Sequence, residues 1–340
     1  MRRSRPTRRP LLARLLVAGA LVVASGPLCG HGVTSAAADP RPPTVAHTAA
    51  AITERARLEI KPGAHPITAI SIDNPLGNVR IEGYDGTALQ IETEKHAPTD
   101  EAIDRLRISL IPNPDGSVRI TTTADGGPEL APVGRGQVRI DLVVHAPRDA
   151  RVEATASAGT LEVANMDAGS ALDTSSGRIS VKNVSGEVST SSISGATRLE
   201  SVFGTVDAQT LSSDLVLDSI SGQRLVASAT HGSIAGRRVR SREITLTTTA
   251  GAISLEAEPG LHGRIVVASL AGDIDIRVRR TGPIVVRARG AKVSIGASAH
   301  AAPDGWTQAS AGTGAAGELP AFVELQSRRG NVQLHLIDPE

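Results

Sequence analysis

TSSGRISVKNVSGEVSTSSISGATRLESVFGTVDAQTLSSDLVLDSI, residues 174–220, is written in a period of about nine. Each unit opens on Gly or a small polar residue and then alternates polar with apolar side chains. Gly177-Arg-Ile179-Ser-Val181 and Gly186-Glu-Val188-Ser-Thr190 are two copies. Gly204-Thr-Val206 and Ser213-Asp-Leu215-Val-Leu217 follow. Alternation at period 2 is the mark of a strand with one buried face. A doubled period of 18 is also present: Val163, Val181, Leu199 and Leu217 are 18 apart, as are Met166, Val184, Val202 and Ile220.

Outward from this stretch the same unit recurs at Gly159-Thr-Leu161, Gly251-Ala-Ile253, Gly263-Arg-Ile265 and Gly272-Asp-Ile274. Fifteen unit starts fall between residues 159 and 291. A strand of four or five residues cannot bury a face alone. Stacking each residue on its equivalent one coil later makes a continuous apolar column. The reading is all-β: a single-domain parallel β-solenoid, or β-helix, with about two strands per 18–20-residue coil. At ~4.8 Å between strands, seven or eight coils make a stack on the order of 35 Å deep. A β-sandwich also has strands every 8–12 residues, but it has no reason to hold one register through fifteen units.

The corners of such a coil need positive φ or close backbone approach. Gly159, Gly177, Gly186, Gly195, Gly204, Gly222, Gly251 and Gly272 are read as structural corner glycines. Ser and Thr crowd the same corners, where hydroxyls can satisfy turn backbone groups. Pro is absent between Pro147 and Pro259, as unbroken ladders require.

Before the repeats, Ile67–Thr93 alternates in the same way. Thr99–Arg107 is read as a short helix with Asp100 and Glu101 in its first turn. Ile108–Ile111 and Ser117–Thr122 form a hairpin about Asn113–Gly116. Gln137–His145 is a further strand, ending at Pro147. The helix and hairpin are assigned to cap the open end of the solenoid. The domain therefore runs from 65 to 340, with an N-terminal cap at 65–147, repeats at 148–296, a loop at 297–320 rich in Ala and Gly, and a last strand at 321–337.

The first 64 residues differ. Residues 1–14 are Arg-rich, 15–28 mostly apolar, and Ser35-Ala36-Ala37-Ala38 offers a small-residue cleavage site. That order reads as a signal peptide over 1–38, followed by a flexible linker at 39–64. Thr7-Arg8-Arg9-Pro10-Leu11-Leu12 has the pattern of a twin-arginine signal, with general secretion as the alternative. Gly26-Pro27-Leu28 before Cys29 fits a lipobox badly, so a lipoprotein is disfavoured. Removing residues 1–38, which hold six arginines and no acid, takes the net charge from +1 to −5. The exported chain then has no cysteine and no membrane span.

Composition narrows function by exclusion. Tyr84, Phe203, Trp306 and Phe322 are the whole aromatic set. Base stacking on single strands needs more, and an acidic chain does not suit a phosphate backbone, so no nucleic-acid partner is expected. No Cys/His cluster resembles a zinc site and no Gly-Gly-x-Gly-x-Asp nonapeptide is present, so no metal and no cofactor are expected.

The ordered series of Gly77-Asn-Val79-Arg-Ile81, then Val138–Pro147, then the units from Gly159 to Ile295 resembles the bacterial putative-adhesin family of domains. The resemblance covers residues 67–296 and 321–337. It implies a β-solenoid at or outside the cell envelope and carries over no catalytic residues.

Three functions are weighed on that basis. The first is a non-catalytic, adhesin-like binding or scaffold protein that contacts a surface glycan or protein through a rigid repetitive face. The second is a polysaccharide-active β-helix lyase or hydrolase, for which Asp273 with Asp275, Asp214 with Asp218, Glu162 and Glu187 are the outward acids available. No base or nucleophile accompanies them, and no catalytic residue is assigned. The third is an envelope-tethered sensor or regulatory module. Arg237, Arg238, Arg240, Arg242, Arg277 and Arg279 are the candidate anionic-ligand stripe, should their coils bring them into register. Trp306 is expected in a loop, either as an anchor for a partner or packed back on the core. Oligomeric state is not legible.

Overall fold

The computed structural model describes residues 52–125, 138–312 and 319–338, which lie in a compact unit spanning Ala49–Glu340. The expected signal peptide and the expected linker as far as residue 51 lie outside the described residues. Chain order begins with β1 (Ile52–Ile60), β2 (Ala69–Asn74), β3 (Val79–Tyr84), β4 (Leu89–Ala97), helix α1 (Asp100–Asp104), β5 (Leu106–Pro112), β6 (Ser117–Ala124) and β7 (Arg139–Pro147). The coils follow as β8 (Arg151–Ala156), β9 (Leu161–Met166), β10 (Ser170–Thr174), β11 (Ile179–Ser192), β12 (Thr197–Thr210), β13 (Leu215–Ala229), β14 (Ile234–Thr248), β15 (Ile253–Ala257), β16 (Arg264–Ser269) and β17 (Ile274–Arg279). The chain closes with β18 (Ile284–Arg289), β19 (Val293–Ile295), β20 (Ala299–Ala301), β21 (Thr307–Ala311), β22 (Ala321–Ser327) and β23 (Val332–Ile337).

Parallel pairing joins each coil to the next in the register the repeat dictates. Ile179 pairs with Thr197 and Thr197 with Leu215, steps of 18. Leu215 pairs with Ile234 and Ile234 with Ile253, steps of 19. The single added residue is absorbed at the bend, where the β12–β13 register shifts between Phe203 and Thr205. Inward positions form unbroken columns: Val163, Val181, Leu199, Leu217, then Leu255 and Ile276 after Gly236. All of the named side chains are buried. At ~25 cal/mol per Å² of apolar surface, each fully buried aliphatic contributes roughly 1.5–3 kcal/mol.

Each coil has two kinds of corner, and glycine serves them for different reasons. At the tight corner Gly77, Gly159, Gly177, Gly195, Gly232, Gly251, Gly272 and Gly330 recur. From Gly159 onward, a Cβ on any of these would fall on the backbone carbonyl of the stacked corner residue. Close approach, and not φ, fixes glycine there. Buried hydroxyls brace this corner. Thr174 Oγ1 accepts from Gly177 N at 3.0 Å, Ser192 Oγ from Gly195 N at 2.9 Å, and Ser327 Oγ from Gly330 N at 2.9 Å.

The wide bend uses positive φ. Asn165, Asn183, Ser201, Ser219 and Arg238 take φ values of 60, 53, 55, 57 and 51°. They are followed on β11–β13 by Gly186, Gly204 and Gly222 at 96, 143 and 141°. Asn and Ser tolerate the left-handed region through local side-chain hydrogen bonds. Here the bonds also link coils: Asn183 Nδ2 donates to Asn165 Oδ1 at 2.7 Å, and Arg238 Nε to Ser219 Oγ at 2.8 Å.

The ends are built by chain out of sequential order. β2–β3 lies between the cap and the first coil: β2 pairs with β6 and β8, and β3 with β7 and β9. The β5–β6 hairpin and α1 appear where the sequence puts them, with Thr99 Oγ1 accepting from Ala102 N as the N-cap. At the other end, β22–β23 inserts between two coils that are nearer in sequence. β22 pairs with β16 on one side and β18 on the other, and β23 with β17 and β19.

Three expectations are corrected. Residues 52–60 of the expected linker form β1, antiparallel to β4. Nearly all of β1 is exposed, so the short alternation Ala56-Arg-Leu58-Glu-Ile60 marks no deeply buried face. It is held by its ladder and by exposed pairs such as Arg55–Glu94 at 3.0 Å. The expected loop at 297–320 contains the β20–β21 hairpin, whose β21 pairs antiparallel with β18 and covers that edge. Small alanines suffice there because only Ala309 is deeply buried. The expected last strand is two strands, β22 and β23, and they lie inside the stack.

Candidate binding surface

Outward side chains form columns just as the inward ones do, so the surface is a set of stacked rows. On the face made by β9, β15, β17, β23 and the first halves of β11–β14, one column runs Lys182, Glu200, Asp218 and Arg237. It resumes as Glu256, Arg277 and His335. Gly236 pairs with Leu255, which places Glu256 beside Arg237 at the next step. Charges alternate along much of this row, and alternation lets neighbours screen one another. Arg237, Ser254, Glu256, Asp275 and Arg277 surround a shallow depression of about 190 Å³.

The six arginines of the sequence-derived stripe thus divide. Arg237 and Arg277 share a column with Glu256 between them. Arg238, at the wide bend, is paired with Asp218. Arg240 Nε meets Glu258 Oε2 at 3.0 Å. Arg242 and Arg279 are exposed.

Most of the outward acids are engaged as well. Asp214 Oδ1 accepts from both the amide and the hydroxyl of Ser233, at 2.9 and 2.7 Å. Those bonds from Ser233, hydroxyl first, hold the Asp214 carboxyl below the ordinary range against a smaller opposing effect of burial. That is the wrong direction for a general acid. Asp273 Oδ1 accepts from Asn331 N at 2.7 Å at the equivalent corner. Asp275 and His335 are 3.9 Å apart. Glu187 meets Arg151 at 3.2 Å, and Glu162 is exposed beside Arg80. Asp214 and Asp273 are therefore rungs between coils.

Trp306 is half-buried in the β20–β21 turn, its ring stacked under the Arg287 guanidinium at 4.7 Å. Asp304 approaches the same arginine at 3.6 Å. It packs back on the stack, the second of the two expectations. His231 is exposed at a tight corner.

Two features escape the sequence. One is a depression of about 500 Å³ lined by Arg55, Arg57, Glu92, Glu94, Asp141 and Val143, which exists only because β1 pairs with β4. Arg55 hydrogen-bonds Glu94 and holds its carboxyl below the usual range. The other is a corner where Arg289 and Lys292 meet Arg328 and Arg329. No sequence signal joins those pairs, since the insertion of β22–β23 brings them together. Among the described residues no group of three or more His, Cys, Asp or Glu is placed to hold a metal, and no helix is long and apolar enough to cross a membrane.

The family profile described as Toastrack DUF4097 matches residues 67–335. No curated protein matches the chain. Among solved structures, a putative adhesin from Parabacteroides merdae is similar at 10% identity, with 83% of this chain and 95% of that one covered and a TM-score of 0.42. A putative adhesin from Bacteroides fragilis is similar at 13% identity, over 84% of this chain and 97% of that one, with a TM-score of 0.41. A putative lipid binding protein from Parabacteroides distasonis is similar at 10% identity, over 82% and 96%, with a TM-score of 0.41.

Proposed function

From the premise that this chain belongs to the Toastrack DUF4097 family, we propose that it is a non-catalytic binding scaffold, exported or held at the cell envelope. Its rigid faces hold a surface glycan or protein by many weak contacts in register. The observation that carries this reading is the use made of the outward acids. Asp214 and Asp273 accept backbone amides of the neighbouring coil, so these two acids serve the stack and not bond cleavage. Stacked rows of polar side chains on a hydrogen-bonded sheet supply the opposite quality, a fixed two-dimensional array suited to multivalent contact. The basic, apolar, Ala-x-Ala order of residues 1–38 supports export.

The test is a binding screen of the chain from Asp39 onward against cell-wall glycans and surface proteins, run beside a depolymerisation assay on anionic polysaccharides. Saturable binding without cleavage is expected. Cleavage that Asp273→Ala abolishes would overturn the reading in favour of a polysaccharide-active enzyme.

A further inference from the structure

The insertion of β22–β23 assembles a cationic corner from two distant parts of the chain. The β22–β23 turn carries Arg328 and Arg329, Arg289 ends β18, and Lys292 lies in the β18–β19 turn; all four are exposed. The two turns are in direct backbone contact. Ala291 N donates to Gly330 O at 3.0 Å, and Val332 N donates to Lys292 O at 2.8 Å. Rows of side chains on adjacent strands then stand ~4.8 Å apart.

These cations are gathered at one corner, whereas several others on the surface are held in ion pairs. Arg151, Arg198, Arg238 and Arg240 each have a carboxylate within ion-pair distance. Among the described residues none exists for Arg289, Lys292, Arg328 or Arg329. Asp273, at the same corner one coil earlier, is committed to Asn331 N. On the other side of Arg328, Leu270 is 41% exposed, one rung away along the corner. Four cations without an ion-pair partner among the described residues therefore occupy one corner of a chain whose net charge from Asp39 onward is −5. A cluster of cations on an acidic surface focuses anions locally.

We propose that this corner binds a linear polyanion, an acidic envelope polymer whose repeating charge is a carboxylate or a phosphodiester. Guanidinium groups match both anions with paired N–H donors, and the lysine adds a point charge. Two rows of cations contact successive anionic groups of one polymer, and each added contact is intramolecular once the first is made. The proposal rests on the binding-scaffold reading and gives it a ligand class and an address.

The experiment titrates the chain from Asp39 onward, which contains the whole compact unit, with sodium polyphosphate and with polygalacturonate; dextran and anionic phospholipid vesicles are run beside them. Binding to at least one of the two polymers is expected, falling with salt at a log–log slope of about −3, roughly 0.7 per cation. The variant Arg289→Gln/Lys292→Gln/Arg328→Gln/Arg329→Gln is expected to lose about tenfold or more in affinity at low salt and to flatten that slope. Arg328→Gln/Arg329→Gln falls between, and it decides the matter if the fourfold variant loses its thermal unfolding transition. Arg237→Gln/Arg277→Gln, in the alternating column, binds as the parent does. Which polymer binds separates carboxylate from phosphate recognition. The proposal is overturned by no binding to either polymer, by binding to vesicles alone, by unchanged affinity in the corner variants, or by an equal loss in Arg237→Gln/Arg277→Gln. If the corner fails while the screen still finds a neutral glycan or a protein, the scaffold reading stands without it.

Discussion

Gly195 lies against Gly177 so closely that a β-carbon on the former would fall inside the carbonyl oxygen of the latter. The contact repeats down the tight corner, and it sets how near two coils can come there.

Gly195→Ala is accordingly expected to cost at least about 1–3 kcal/mol, the range for forcing extra atoms into a packed site. The backbone φ at Gly195 is not in the left-handed region, so the cost is steric. Ser213 occupies the equivalent place one coil later, with its Oγ 2.6 Å from Gly195 O, and Ser213→Ala is expected to be far milder. Urea unfolding midpoints of the two variants check the order.

Asn183 tests the other corner. Its φ of 53° and its 2.7 Å bond to Asn165 make two separate demands. Asn183→Gly keeps the backbone and loses the bond, for an expected loss below about 1 kcal/mol. Asn183→Val loses both and puts a β-branched residue at positive φ, for an expected loss of about 2 kcal/mol or more. Equal stabilities would show that the bend tolerates any residue.

Asp214 predicts a pH dependence. Its carboxyl is held below the ordinary value by Ser233, so the folded state favours the ionised form. Stability from this group is fully present above the unfolded carboxylate range, about pH 4, and is lost as pH falls through the lowered folded value. Thermal midpoints measured from pH 6 down to pH 2 should fall less steeply in Asp214→Asn than in the parent. An identical slope would remove Asp214 from the account.

A chain ending at residue 312 lacks the strand pair between two coils. β16 and β18 then lose their shared neighbour, as do β17 and β19. Exposed strand edges and opened core are expected to show as dye binding and aggregation. A truncated chain with native-like cooperative unfolding would mean that β18–β19 can dock directly on β16–β17.

How much was legible varies by residue. Val181, Leu199 and Leu217 announce both their burial and their mutual stacking, because period 2 and period 18 are carried in the chain itself. Gly177 and Gly186 announce corners but not their different reasons, since one avoids a carbonyl and the other supplies positive φ. β1 was missed because the alternation of Ala56, Leu58 and Ile60 is short and neither face of the strand is deeply buried. The stripe from Arg237 to Arg279 was legible as a run of charge. Its division by Glu256 and Glu258 needed the register.

The sequence by itself determined an all-β solenoid of two strands per coil, because alternation and repeat length are local properties that any one coil expresses. Only the tertiary structure decided which coil lies beside which at the ends. Arg264 pairs with Phe322, 58 residues away, although Val285 is much nearer along the chain. An alternating strand specifies the face it buries but not the neighbour it pairs with. Every backbone edge offers the same donors and acceptors, so the choice falls to the connections and to the packing of the whole stack. That choice set Arg289 and Lys292 beside Arg328 and Arg329.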